Sequence, residues 1–141
     1  MPDMSIEEMK AFIVEGTRTG HLATTRKDGR PHVAPIWFVM DGDDIVFTTW
    51  HDSVKGKNLQ RNGYATLSVD NPSPPYSFVV LEGRVTMDPD PEASRHWAGI
   101  MGARYMGNDR AKEFGQQNGI EGEWVCRLTP ANWTGVRNIA E

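Results

Sequence analysis

Residues 48–59, Thr-Thr-Trp-His-Asp-Ser-Val-Lys-Gly-Lys-Asn-Leu, carry the clearest chemistry in the chain. An apolar segment, Asp44-Ile-Val-Phe-Thr-Thr, runs into a short polar turn, and a helix opens at Ser53. Lys55 and Lys57 then fall in the first turns of that helix. The amino end of a helix carries partial positive charge, so a cation there costs roughly 0.3–1 kcal/mol. Anions belong at that end, held by backbone N–H groups without intrahelical partners. Hydroxyls of Thr48, Thr49 and Ser53 just ahead of two misplaced lysines therefore suggest a bound phosphate. The alternative is that both lysines reach into solvent on their long stems, at a cost of roughly a few tenths of a kcal/mol.

Other reactive side chains give less. His21, His32, His51 and His96 lack a ligand spacing such as i,i+4 and read as structural or surface groups. His51, beside the phosphate turn, is the one placed to serve an anion. The single cysteine, Cys126, excludes an internal disulfide, fits a reducing compartment, and reads as a small buried hydrophobe on a strand. No triad, carboxylate pair or metal cluster stands out, so the sequence assigns no catalytic residue and no metal ligand. A net charge of -4 argues against a nucleic-acid partner, and the five tryptophans do not make a base-stacking groove without positive charge along it. Positive charge does gather at residues 26–30 and 55–61, which suits a small anionic ligand. No apolar run reaches the roughly 18 residues of a membrane span, and no signal-peptide pattern opens the chain. The expectation is a cytoplasmic protein with no membrane partner, its 141 residues forming one domain over 1–141.

The elements that must position the lysines are mixed. Ser5-Ile-Glu-Glu8 reads as a capping box opening a short helix that ends near Gly16. Strands are expected over 20–26, 31–40, 44–49, 64–70, 76–87 and 123–129. Asp28-Gly29 is a hairpin turn, Asp41-Gly42-Asp43 a second turn, and 71–75 a proline-rich loop. Glu82-Gly83 reads as a bulge or a close backbone approach. Residues 53–62 form the helix that carries the lysines, and 90–116 is helical with a break at Gly107. At least six antiparallel strands with helices between them point to a small closed barrel.

The 31–40 strand adds a constraint. Val33, Pro35, Trp37 and Val39 share one face, and Ala34, Ile36, Phe38 and Met40 the other, with only His32 polar. One core covers one face. The second needs a partner subunit, a flat ligand or the long helix after Asp90, and the chain's own helices covering both faces is the plainest account. Pro35 marks a bulge or an edge.

Gly20-His-Leu-Ala-Thr, Asp28-Gly-Arg-Pro-His-Val-Ala-Pro-Ile-Trp-Phe38, Lys55-Gly-Lys-Asn-Leu59 and Leu81-Glu-Gly83, in that order and spacing, resemble the split β-barrel flavoproteins related to pyridoxamine 5′-phosphate oxidase. Within them the chain looks most like the actinobacterial branch that uses the deazaflavin coenzyme F420, over residues 5–137. The resemblance implies a mainly β fold, a six- to seven-stranded antiparallel split barrel with flanking helices. It also implies a homodimer with cofactor sites at the subunit interface. Lys55 matches the lysine that holds the cofactor phosphate, with Thr49 and Ser53 where hydroxyls assist it and Lys57 as a second basic residue. Ala34, Pro35, Ile36 and Trp37 match the strand against the tricyclic ring. Tyr76 and Phe78 match aromatic positions near the partner's cofactor, and Trp133 and Arg137 lie where the oxidases reach the ring or substrate.

The departures matter equally. The oxidases place an arginine on the strand before the phosphate turn, and near Ala34 there is none. Arg137 stands alone where they grip the phosphate of pyridoxamine phosphate. The resemblance therefore implies a reductase passing hydride from reduced F420 to a small conjugated or oxidised organic acceptor. An FMN-dependent reductase or oxidase and a non-catalytic F420 carrier are the alternatives.

Overall fold

The computed structural model describes residues 3–141. Helix α1 (Ile6–Val14) opens on the capping box: the Ser5 hydroxyl accepts from the Glu8 N–H, and the Glu8 carboxylate accepts from the Ser5 N–H. There follow β1 (Gly20–Thr25), β2 (Pro31–Ile36), β3 (Val39–Asp41), β4 (Asp44–Trp50), α2 (Val54–Arg61), β5 (Tyr64–Asn71) and β6 (Ser77–Asp88). Helices α3 (Pro91–Met106) and α4 (Ala111–Asn118) form a hairpin about Gly107, and β7 (Glu123–Val136) closes the chain. The strands make one seven-stranded antiparallel sheet in the order β2-β1-β5-β6-β7-β4-β3. Its two edge strands are consecutive in sequence. This is the mainly β split barrel that the sequence led us to expect.

The sheet wraps a core that includes Leu22, Ile36, Phe38, Ile45, Phe47, Leu67, Val79, Leu81 and Leu128, closed by Met9 and Ile13 of α1 and Leu59 of α2. A smaller cluster lies outside the β3–β4–β7 part of the sheet, where Met101 of α3 meets Val39, Val46 and Val125. Strand β4 is therefore buried on both sides. Ile45, Phe47 and Thr49 face the barrel, and Val46 and Thr48 face α3, as a period of two requires.

Two sequence expectations are corrected. Residues 31–40 are not one strand: β2 ends at Ile36 and β3 begins at Val39. The Phe38 N–H donates to the Tyr105 hydroxyl at 3.3 Å, and that hydroxyl donates onward to the Arg18 carbonyl at 2.8 Å. The amide thus finds its partner in a helix and leaves the ladder. Cover on the two faces is also uneven. Helix α3 reaches Trp37, whose ring lies parallel to Tyr105 with centroids 4.8 Å apart. It does not reach Val33, which is 62% exposed. The chain's own helices do not cover both faces of β2.

The last strand also runs past Thr129, through Pro130, to Val136. A register shift between Glu82 and Gly83 admits the proline, and a side chain at Gly83 would overlap the Thr129 carbonyl. The bulge expected at Glu82-Gly83 thus lets a residue without an N–H sit in a long strand. Tyr105→Phe should remove the hydroxyl bridge, leave the buried Phe38 amide unsatisfied, and cost about 1–3 kcal/mol. Urea denaturation should show a lower midpoint with an unchanged slope.

Candidate functional site

The outer side of β4, the end of β2 and the α3–α4 hairpin enclose a pocket of about 180 Å³. Pro35, Ile36 and Trp37 form one wall, with Thr48 from β4 and Lys55 from the first turn of α2. Ala98 and Met101 of α3 and Phe114 and Asn118 of α4 close the other side. Five of the residues singled out by sequence thus meet in one place: Pro35, Ile36, Trp37, Thr48 and Lys55.

Local rules explain how Lys55 is presented. Ser53 caps α2: its hydroxyl accepts from the Gly56 N–H at 3.0 Å and donates to the Trp50 carbonyl at 2.7 Å. Thr49, 2% exposed and facing the barrel, lies 3.1 Å from that hydroxyl. Neither hydroxyl reaches the pocket; together they fix the start of the helix. Gly56 is required by crowding, since a β-carbon there would stand 2.5 Å from the Trp50 carbonyl oxygen. No acidic residue sits in the first turn of α2, and Lys55 makes no ion pair among the described residues. A half-buried ammonium, a hydroxyl and the Asn118 amide make a donor set suited to a phosphate-type anion.

Sequence reasoning missed Glu123. It begins β7, opposite Trp50 in the register, and shares the pocket-facing side of the sheet with Val125 and Thr48. Burial holds its carboxyl above the usual range, opposed by the neighbouring Thr48 hydroxyl and the Lys55 charge. An acidic residue at a strand start carries no local signal; only the β4–β7 pairing shows its neighbours. The helical wall was equally silent, because Met101, Phe114 and Asn118 reach the pocket only through the α3–α4 hairpin.

The remaining predicted residues lie elsewhere. Ala34 is half-buried on β2 outside the pocket lining. Lys57 pairs with Asp52 at 3.3 Å and borders a separate cleft of about 670 Å³ with Arg26, Lys27, Arg30 and Arg61. Tyr76 stands exposed before β6, with φ +65° and its carbonyl accepting from the Ile139 N–H, and Phe78 is half-buried between Asp70 and Val136. Trp133 packs against the barrel core, and Arg137 pairs with Glu8. The His51 ring is bonded at Nδ1 to the Gly122 carbonyl at 3.0 Å and stacks on Trp124. Among the described residues, no group of His, Cys, Asp or Glu forms a metal site, and no helix is long and apolar enough to cross a membrane.

The sequence profile of pyridoxamine 5′-phosphate oxidase matches residues 5–137. No curated protein matches the chain significantly. Among solved structures, a conserved hypothetical protein from Mycobacterium tuberculosis superposes with a TM-score of 0.82 at 23% identity, over 98% of this chain and 89% of that one. An F420 reductase is 27% identical with a TM-score of 0.69, over 86% of this chain and 93% of that one. The haem storage protein of Vibrio cholerae is 19% identical with a TM-score of 0.70, over 92% of each chain. The first and third likenesses show the fold alone. Their breadth means that the site, and not the barrel, must carry the functional argument.

Cys126 is a core side chain: fully buried, with its thiol pushed by burial up to about 12. A disulfide reagent at mildly alkaline pH should label native protein only as fast as it unfolds, and denatured protein at once. Rapid labelling of the native state would contradict this burial.

Proposed function

This chain belongs to the pyridoxamine 5′-phosphate oxidase family, and on that premise we propose that it is an oxidoreductase dependent on the deazaflavin coenzyme F420. It would pass hydride from the reduced cofactor to a small conjugated or oxidised organic acceptor. The observation that carries this reading is Lys55, half-buried and without an ion-pair partner among the described residues, in a pocket walled by Pro35, Ile36 and Trp37. The likeness to the F420 reductase supports the choice of cofactor. When bound, that cofactor supplies the hydride chemistry.

The chain's residues supply binding, orientation and the exclusion of water. Lys55 and Thr48 hold the phosphate, while Ser53 and Thr49 fix the turn that presents Lys55. Ala34, Pro35, Ile36 and Trp37 give the strand along which the ring lies. Beyond the phosphate, the deazaflavin continues into a lactate and a glutamate tail that bear further carboxylates. The cleft bordered by Lys57, Arg61, Arg26, Lys27 and Arg30 offers such a tail dispersed positive charge. The clamp arginine of the oxidases has no counterpart at Ala34 or its neighbours on β2, which weighs against FMN and against pyridoxamine phosphate as substrate.

We further propose a homodimer. A pocket of about 180 Å³ falls short of the roughly 300–1,000 Å³ of ordinary ligand sites, and a second subunit would enlarge it. The exposed side of Val33 and Pro35 on β2 needs the same cover. Tyr76 and Phe78, remote from this chain's own pocket lining, would then serve the partner's site. The FMN-dependent enzyme and the F420 carrier remain the competing readings. Absorbance of the loaded protein separates the cofactors, and turnover with quinone, nitro or enone acceptors separates enzyme from carrier.

Lys55→Ala should weaken F420 binding by about 1.5–3 kcal/mol, the worth of a hydrogen bond to a charged group. The loss in Lys57→Ala should be smaller and more sensitive to salt. Fluorescence titration of each variant checks both, and unchanged affinity in Lys55→Ala removes the phosphate assignment. F420 should bind at least about tenfold, or 1.4 kcal/mol, more tightly than FMN. The margin should shrink as salt rises, and equal or tighter FMN binding moves the assignment to FMN. Light scattering should give a dimer at micromolar concentration; a monomer that still binds cofactor tightly contradicts the shared site.

A further inference from the structure

We propose that Phe114 is a specificity-determining residue of the Lys55 pocket: in the empty site its ring holds the place beside Trp37 that the planar ring of a phosphate-bearing ligand takes on binding. The inference rests on the reading of Lys55 as the phosphate-holding residue and goes beyond it to the class of group that lies next to the phosphate. Phe114 lines the pocket together with Trp37 and Lys55. Its ring is tilted by 60° to that of Trp37, with centroids 5.6 Å apart. Tyr105 lies parallel to Trp37 at 4.8 Å and is fixed through both of its hydroxyl bonds, so its stacking position stays filled. The aromatic place that can be vacated is the one Phe114 holds.

The walls of the pocket are held with unequal firmness. Pro35 and Ile36 belong to the β1–β2 ladder, Thr48 belongs to the β4–β7 ladder, and Lys55 follows a capped helix start. On α3, Ala98 is buried and Met101 belongs to the outer core cluster, while Arg104 and Tyr105 pin the helix end. Helix α4 is different. None of its side chains belongs to either core cluster, and its one buried residue, Gly115, has no side chain to pack. No side chain caps its first turn. Phe114 sits on the bare backbone of Gly102, where a β-carbon would stand 2.5 Å from the Phe114 Cβ. Arg110, paired with Glu113, lies 4.9 Å over the outer part of the same ring system and moves with α4. Trp37 is the aromatic partner left behind when α4 shifts.

Size and chemistry then point the same way. With Phe114 in place the pocket of about 180 Å³ is smaller than ordinary ligand sites. A second subunit extends its mouth but does not clear the space that Phe114 fills. A flat conjugated ring packed on Trp37 replaces one ring–ring contact with another of similar worth, so the exchange costs little. A sugar or aliphatic group of equal size would displace Phe114 without returning that contact. The pocket thereby selects a planar ring beside the phosphate.

Two probes separate ring from phosphate: F420, followed by its fluorescence, and ribitol 5-phosphate, which has a polyol chain and a phosphate but no ring, followed by the amide resonances of α2. Phe114→Ala should bind F420 about two- to tenfold more tightly, the worth of one aromatic pair no longer displaced. Phe114→Leu, which keeps apolar bulk and so guards against a poorly folded alanine variant, should gain less, and the larger ring of Phe114→Trp should weaken binding. Ribitol 5-phosphate should show no such order, while Lys55→Ala should weaken every ligand that binds. F420 affinity unchanged or reduced in both Phe114→Ala and Phe114→Leu, or an equal gain for ribitol 5-phosphate, overturns the proposal and leaves the Lys55 reading standing. F420 binding that is absent from every variant, or that is unchanged in Lys55→Ala, overturns both.

Discussion

The site depends on the corner where the chain leaves one edge of the sheet and re-enters at the other. Trp37 and Phe38 make that passage, and their side chains part. Phe38 enters the barrel core, and Trp37 turns outward onto Tyr105. The Tyr105 hydroxyl accepts from the Phe38 amide and donates to the Arg18 carbonyl, so one phenol joins α3, the corner and the loop between α1 and β1. Arg104 reinforces it by donating to the carbonyls of Ile13, Gly16 and Phe38. Burial makes the charged form of each side chain costlier, raising Tyr105 and lowering Arg104, and the cluster tolerates this because its partners are backbone groups of fixed position. With the end of α3 pinned there, its earlier residues Ala98 and Met101 must lie over β4. The pocket is the space left between them.

What the sequence disclosed follows from the range of each interaction. The capping box at Ser5 and Glu8, the Asp28-Gly29 turn and the Glu82-Gly83 bulge are local, and each appears where the residues indicated. The break at Trp37–Phe38 was hidden, because the hydroxyl that takes the amide stands 67 residues further on. The passage of β7 through Pro130 was hidden as well, since it depends on the pairing of Pro130 with Gly83, far earlier in the chain. Glu123 shows the same limit: its neighbours come from β4, which precedes it by half the chain. One separation is legible in the strand period itself. Thr48 and Thr49 are successive strand residues, so only one of them can face the pocket. The other serves the barrel and the helix cap.

The two lysines divide for a similar reason. Residues two apart on an α-helix point about 160° away from each other, so Lys55 and Lys57 cannot grip one compact anion together. Lys55 turns towards β2 and β4, while Lys57 turns towards the β1–β2 hairpin and Asp52. Positive charge is thereby spread around α2, half-buried on one side and solvated on the other. The two sides act differently. Lys55, partly removed from water and from screening ions, offers a strong interaction at one fixed point. Lys57, Arg30, Arg26 and Arg61 of the cleft are tethered by Asp52, Asp28 and backbone carbonyls, so each contributes little alone and less as salt rises. On the proposed reading, such a layout favours an elongated ligand with one phosphate and further carboxylates at a distance over a compact one. The strand wall at Pro35–Trp37 would then receive its apolar part, because that is the apolar surface of β2 adjoining Lys55.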